Sequence, residues 1–474
     1  MAADRFMEPT DAWIWYLEQD PLLRFTVTAV TLLDRAPDWD RLVDRFEKAS
    51  RVAPHFRDRV VSTPFRLAPP RWVTDQHFDL GYHLRRVRAP EPGTLESVLE
   101  LARTSAMAGL DRSRPLWEAT VVEGLEGDGA ALIIKAHHSL TDGIGGMQLA
   151  LVLFDLEPDA EPDDWPDPPA PEPLTSADLA RQATAHQAGR IARTATHTAG
   201  AVLPTLGRLA RDPVATTRGW LRSGGSVARM LRPVGRTLSP VMADRGLSWR
   251  FQVLDVPFPE LRGAAKSTGT TLNDAFLAGI TGGMRRYHEQ LGHPVAELRV
   301  SMPISIRRPD DPVGGNRVAI VRYPVPVGIA DPRERLAALH EAAARARNEP
   351  AVPHTGAILE VVSPVTPLAV RPMAVHMDFG ASNVPGPSFP VHLAGAEALR
   401  FYPFGPTGGS AVNVTLLSYR GRCCIGVNAD TAAVTDGERF LTCLAEGFDE
   451  VLAVGGDGER AAPGGSPRLG TVAV

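Results

Sequence analysis

The sequence predicts a mixed α/β (α+β) fold of two lobes of broadly similar content. Three observations carry that prediction. β-Branched, strand-like stretches recur along the chain, stretches with apolar residues at helical spacing alternate with them, and a break in composition separates two regions of similar content. The 474 residues, 44% of them hydrophobic, are enough to bury more than one core.

Residues 26–34, "TVTAVTLLD", read as a strand, and "WDRLVDRFEKA" after them as an amphipathic helix. "LWEATVVEGLEGDGAALIIKAHH" reads as two strands joined at "EGDG", and "GIGGMQLALVLFDL" as a helix leaving the second of them. Residues 155–173, "DLEPDAEPDDWPDPPAPEP", hold acids and prolines without a Lys or Arg, the pattern of a stiff exposed linker. Residues 181–250 then carry twelve arginines against Asp212 and Asp244 alone. Beyond them, "LSWRFQVLDVPF", "ELRVSMPIS", "RVAIVRYPVPV", "SAVNVTLLSY" and "RCCIGVNA" predict strands. "TLNDAFLAGITGGMRRYHEQLG" and "DGERFLTCLAEGFDEVLA" predict helices. The expected organisation is a first lobe over 1–155, a connector over 156–245, acidic and then basic, a second lobe over 246–455, and a disordered tail over 456–474.

Composition excludes several functions. A net charge of -5 argues against a protein that holds nucleic acid by overall positive charge. Cys423, Cys424 and Cys443 form no CxxC pair, so neither a disulfide framework nor a cysteine zinc site is legible, and a reducing cytoplasm is expected. No run of about 18 uncharged apolar residues predicts a membrane span. There is no G-x-S-x-G elbow, no dinucleotide fingerprint and no phosphate-binding loop. "HEQLGH" (288–293) spaces its histidines five apart, where a metalloprotease helix needs four, and is expected to be a solvated helix end.

The candidate site is "AHHSLTDGIGG", 136–146. Strand alternation puts His138 on one face with Leu132, Ile134 and Ala136, and His137 on the other with Ile133 and Lys135. His138 is therefore expected to point inward, and His137 to be fixed by a hydrogen bond. Adjacent strand residues cannot easily share one metal, so no metal is expected. A neutral imidazole near pH 7 can take a proton from an attacking alcohol or amine and return it to the leaving group. Without its context, the same stretch reads first as a structural strand end.

"HHSLTDG" matches HHxxxDG, the signature of the CoA-dependent acyltransferase superfamily. The ordered blocks "MEPTDAWIWYLE" (7–18), "PLWEATVVEGL" (115–125), "NDAFLAG" (273–279), "MPISIRRPDDPVGGNRV" (302–318) and "SNVPGP" (382–387) resemble those of bacterial wax ester synthase/diacylglycerol acyltransferases. The resemblance implies two chloramphenicol-acetyltransferase-like lobes with a substrate tunnel between them. It implies transfer of an acyl group from a long-chain acyl-CoA to diacylglycerol or a long-chain alcohol, with His138 as general base and no acyl-enzyme. Acyl-CoA is then a co-substrate, and no cofactor is expected. A polyketide, sugar or amine acceptor, or a non-catalytic lipid-binding role, are the alternatives.

Carried onto this sequence, the motif makes His137 and Asp142 supports, with Gly143 completing it. Arg57, Arg59, Arg307 and Arg308 are candidate partners for Asp142, which also reads as a plain turn acid. Asn273 and Asp274 match the Asn-Asp block and equally form a helix cap. Ser382 and Asn383 are candidates for holding the carbonyl oxygen, or turn formers before "VPGP". Leu116 and Trp117 of "PLW" read first as packing at a strand start. The basic segment reads as a solvated helical surface or as interfacial helices for an anionic membrane, giving an expected place at the inner membrane face or on lipid inclusions.

Overall fold

A computed structural model of the chain describes residues 5–53, 55–140, 146–147, 152–160, 165–211, 225–226, 234–305, 318–352, 355–356, 371–372 and 374–455. In chain order the elements are α1 (Pro9–Leu17), β1 (Thr26–Leu33), α2 (Trp39–Val52), β2 (Asp58–Val61), β3 (Arg71–Thr74), α3 (Leu80–His83), β4 (Leu84–Arg88), α4 (Leu95–Met107), β5 (Trp117–Glu123) and β6 (Ala130–His137). A long helix, α5 (Ser176–Arg211), follows. Then come β7 (Trp249–Pro257), α6 (Phe258–Ser267), α7 (Leu272–Gln290), β8 (Glu297–Ser305), β9 (Val318–Pro326), α8 (Pro332–Arg347), β10 (Phe379–Pro385), β11 (His392–Leu393), β12 (Ala396–Phe404), β13 (Val412–Tyr419), β14 (Arg422–Asp430) and α9 (Gly437–Gly455).

Local signals explain the helix starts. Asp38 caps α2 by accepting from Arg41 N, and Leu42, Phe46 and Ala49 then turn one apolar face inward. Pro332 opens α8 behind the Asp331 cap, and Thr271 with Asp274 forms a full capping box on α7. Among the described residues two six-stranded sheets form, in the orders β11-β12-β1-β6-β5-β4 and β7-β14-β13-β10-β8-β9. Both are mixed. β4 runs parallel to β5 in the first, and β10 runs parallel to β8 and β13 in the second.

The lobes are not the contiguous segments that the sequence predicts. β11 and β12, from within 246–455, belong to the first sheet, where β12 pairs with β1 from Thr28↔Phe404 to Leu33↔Ala398. The exposed edge of β1 needs backbone partners, and β12 supplies them while burying Tyr402 and Phe404 with Val30 and Leu32. The second lobe also begins before 246. Met242 is part of its core, and Leu238 N and Ser239 N donate to the buried Asp378 carboxylate. The tail 456–474, most of the helix expected after 143 and the span 212–224 of the basic segment lie outside the described residues.

Among its described residues the acidic linker is mostly exposed, and it is strapped to the first lobe. Arg71 makes a two-pronged pair with Glu172, Arg45 pairs with Asp155, and the Lys48 ammonium sits over Trp165. His288, expected at a solvated helix end, is instead 0% exposed. Its ring bridges Ser239 Oγ (2.7 Å) and Met284 O (2.7 Å), because α7 turns this position toward the segment 234–242 rather than to water. His293 is exposed, so the two histidines do not share an environment.

Candidate active site

β6 delivers the histidine pair. Its flanking strands are β1, with Thr26↔His137, and β5, with Trp117↔Ala136, so the pair emerges where three strands end together. Leu116 and Trp117 are packing residues, each 1% exposed. The Trp117 indole donates to Phe56 O and stacks with Phe46, Phe56 and His83.

The two histidines differ in burial, but the buried one is His137 and not His138, the one expected to point inward. His137 is 1% exposed and clamped on both ring nitrogens. Nε2 lies against the Glu18 carboxylate, and Nδ1 is 2.6 Å from Ser139 Oγ and accepts from Ser139 N (3.2 Å). Trp15 meets the ring edge-on at 5.8 Å between centroids. Burial by itself would raise the Glu18 carboxyl. The His137 hydrogen bond, with the charges of His137, Arg112 and Arg24, outweighs burial and holds it below its ordinary value. Glu18 is thus a carboxylate at neutral pH.

His138 is half-buried and is the first residue past β6, its backbone N–H donating to Phe25 O (2.8 Å). On its face of the strand Leu132 is buried while Ile134 and Ala136 are only partly so, which means the face opens as it approaches His138. The Phe25 ring lies where a Cβ on Gly408 would meet it at 3.4 Å. That loop continues back to Pro406, whose carbonyl accepts from Asn413 Nδ2 (3.0 Å), and Thr415 Oγ1 donates to Asn413 Oδ1 (2.7 Å). A chain of contacts therefore links the His138 turn to β13 of the second sheet.

Ser382 pairs in register with Thr415 on that sheet. Along β10, Phe379 and Ala381 enter the second-lobe core whereas Val384 packs with the first lobe. Ser382 thus shares the lobe-facing side with Val384, and Asn383 faces the opposite way. The sequence reading that let both hold one carbonyl oxygen is corrected by this parity. Asn383 instead lines a cavity of about 250 Å³ with Asn273, Met302, Ile304, Tyr323 and Arg347. Burial, with Asp274 nearby, pushes the Tyr323 hydroxyl up to about 12, so it is a hydrogen-bonding group there and not an acid.

Asp274 is fully buried and engaged as a cap. Its Oδ2 accepts from Thr271 N (2.9 Å), Thr271 Oγ1 (2.7 Å) and His340 Nδ1 (2.8 Å). Asp142, Gly143, Arg307 and Arg308 lie outside the described residues. Arg57, a candidate partner of Asp142, is occupied by Glu47 and Ser50. Among the described residues no group of three or more His, Cys, Asp or Glu is placed to hold a metal. Sequence reasoning missed Glu18, Ser139 and Phe25. Glu18 ends the block "MEPTDAWIWYLE", and that block's place beside the histidines was the available signal.

Two mixed sheets joined by an exchanged strand, with one buried and one half-buried histidine at a strand end, make up a two-lobed α/β frame around the site. The wax ester synthase/diacylglycerol acyltransferase catalytic domain matches residues 7–276, and the WS/DGAT C-terminal domain matches 314–451. The chain belongs to the wax ester synthase/diacylglycerol acyltransferase family. A Mycobacterium tuberculosis protein provisionally named as a diacylglycerol O-acyltransferase is 39% identical, over 96% of this chain and 93% of its own. A second from the same organism is 32% identical over 95% and 97%. The wax ester synthase/diacylglycerol acyltransferase of Marinobacter aquaeolei VT8 superposes with a TM-score of 0.63 at 23% identity, covering 95% of this chain and all (100%) of that one. The first condensation domain of the calcium-dependent antibiotic synthetase gives 0.62 at 13%, covering 96% and 97%. At these identities the two structures speak for the fold alone.

Proposed function

We propose that the protein transfers a long-chain acyl group from acyl-CoA to diacylglycerol, to a long-chain alcohol, or to both, with His138 as general base. The observation that carries this reading is the asymmetry of the histidine pair, one buried with Glu18 and Ser139 at its two ring nitrogens, the other half-buried beside it. The His138 imidazole takes the proton of the acceptor hydroxyl as its oxygen attacks the thioester carbonyl. The tetrahedral intermediate carries its charge on the former carbonyl oxygen, where the Ser382 hydroxyl acts as donor. Collapse breaks the C–S bond, and the imidazolium returns its proton to the departing CoA thiolate. No acyl-enzyme, metal or cofactor takes part. His137, Asp142 and Gly143 support the turn, and Asn273 and Asn383 contact substrate in their cavity.

The test uses purified protein with labelled palmitoyl-CoA, offered diacylglycerol, hexadecanol or neither, alongside His138→Ala. Acyl transfer by the wild type and about 10²- to 10⁴-fold less by the variant is expected. Equal rates overturn the general-base role, and acylation of neither acceptor overturns the substrate assignment.

A peripheral place on an anionic membrane or lipid inclusion belongs to the same reading. No helix among the described residues is long and apolar enough to cross a membrane. α5 has a single acid, Asp178, among its arginines, a charge balance that suits an anionic surface. Flotation with liposomes containing phosphatidylglycerol should recover the protein at low salt and lose it at high salt. Absent or salt-insensitive binding overturns the electrostatic part.

A further inference from the structure

We propose that Glu18 is a positioning residue for the reaction, acting on His138 through His137 and Ser139; this rests on the reading of His138 as the base. Four groups meet in one buried place. Glu18 follows the last residue of α1, and its carboxylate lies against His137 Nε2. The Nδ1 of the same ring accepts from the hydroxyl and the backbone N–H of Ser139. A ring nitrogen that accepts from an N–H carries no proton, so the neutral imidazole has its one hydrogen on Nε2, facing the carboxylate. Glu18 fixes that tautomer, and the tautomer determines that Nδ1 can hold Ser139.

His137 and Ser139 flank His138 in the chain. With His137 N donating to Leu116 O, Leu140 N to His137 O and His138 N to Phe25 O, the turn is fixed on both sides of the residue that projects from it. Glu18 is also set in place: Arg112 stacks on Trp15 at 3.8 Å and donates to Trp15 O, one helical turn before Glu18. Facing the carboxylate are the His137 Nε2 and the Arg112 and Arg24 guanidiniums, and together they keep it ionised against its burial. Replacing Glu18 by a group that also offers N–H donors permits the imidazole to adopt the other tautomer. Nδ1–H then faces the Ser139 N–H, and the turn must rearrange. A displacement of the base by about 1 Å is enough to cost about 10²-fold in rate.

The experiment compares wild type, Glu18→Gln, Glu18→Asp, Ser139→Ala and His138→Ala by steady-state kinetics with palmitoyl-CoA, thermal melting, and ¹⁵N shifts of histidine-labelled protein assigned with His137→Gln. The expected wild-type spectrum has a protonated Nε2 and a bare Nδ1 at His137. Glu18→Gln should lose that pattern and about 10²-fold in kcat with KM within about twofold, and Glu18→Asp should recover part of both. Ser139→Ala should keep the tautomer and lose less rate. A changed tautomer with unchanged kcat overturns the positioning role while leaving the general-base reading intact. Full activity in His138→Ala overturns the reading beneath it. A kcat loss matched by a lower melting temperature and not restored in Glu18→Asp reduces Glu18 to a stabilising ion pair and overturns the proposal.

Discussion

The carbonyl oxygen of Pro403 on β12 lies 2.0 Å from where a Cβ on Gly426 of β14 would stand. The strand that completes the first sheet therefore presses its backbone onto the face of the second, and only a residue without a side chain admits it. Phe404 beside it stacks on Phe251 at 4.0 Å, so the same crossing buries two aromatic rings. Gly426→Ala has no flexible side chain to push aside, since the obstacle is backbone. It is expected to lower stability by about 1–3 kcal/mol, read as a shift in the urea midpoint at constant slope, and to reduce acyl transfer by parting the lobes. An unchanged midpoint would show that the crossing relaxes freely.

Asp274 separates capping from substrate contact. Because its carboxylate is fully buried and bonded to Thr271 and His340, Asp274→Ala should cost about 1–2 kcal/mol in thermal or chemical unfolding. At a temperature where the variant is folded, its KM for acyl-CoA should stay within about twofold of wild type. Asn273→Ala, which opens the neighbouring cavity, should do the reverse. A large KM change in Asp274→Ala without loss of stability would return Asp274 to the substrate contacts.

Acid should weaken the second lobe through His288. Burial pushes its imidazole below the ordinary value of 6.5, against the opposing pull of Met284 O and Asp378. The unfolded chain then binds more protons than the native one at pH values between the native value and 6.5. Stability is complete above that window and falls as pH drops through it, by about 1.4 kcal/mol per pH unit inside it. Melting temperatures at pH 7.5 and 5.5 should diverge more in wild type than in His288→Gln. Equal differences would mean that other groups govern the acid limb.

The strands and helices around the site were legible because their signals are local: alternation in β1, β5 and β6, and cap chemistry at α2, α7 and α8. The same alternation sets His138 and His137 on opposite faces, but it assigns His138 the inward one, whereas His137 is the buried member of the pair and His138 is half-buried. The exchange of β12 was not legible, because "AEALRFYPF" satisfies either sheet and only the unpaired edge of β1 selects one. Nor was Glu18, whose partner lies more than a hundred residues away, or the burial of His288, which depends on a segment the composition assigned to a connector. Ser382 and Asn383 are neighbours on β10, so strand alternation alone sets them on opposite faces.

Their opposite orientation gives the sharpest test of the proposed mechanism. Ser382 lies on the lobe-facing side of β10, in register with Thr415, while Asn383 enters the cavity with Asn273, Tyr323 and Arg347. A donor to the developing oxyanion acts only in the transition state, so its loss lowers kcat and kcat/KM equally. Ser382→Ala is expected to lose about 10²-fold in kcat with little change in KM. A group that lines a binding cavity holds ground state and transition state alike, so Asn383→Ala should raise KM for one substrate and leave kcat within about threefold. If Asn383→Ala shows the pure kcat defect instead, the oxyanion donor comes from the helix side of β10, and acyl transfer takes place in that cavity rather than at the lobe junction.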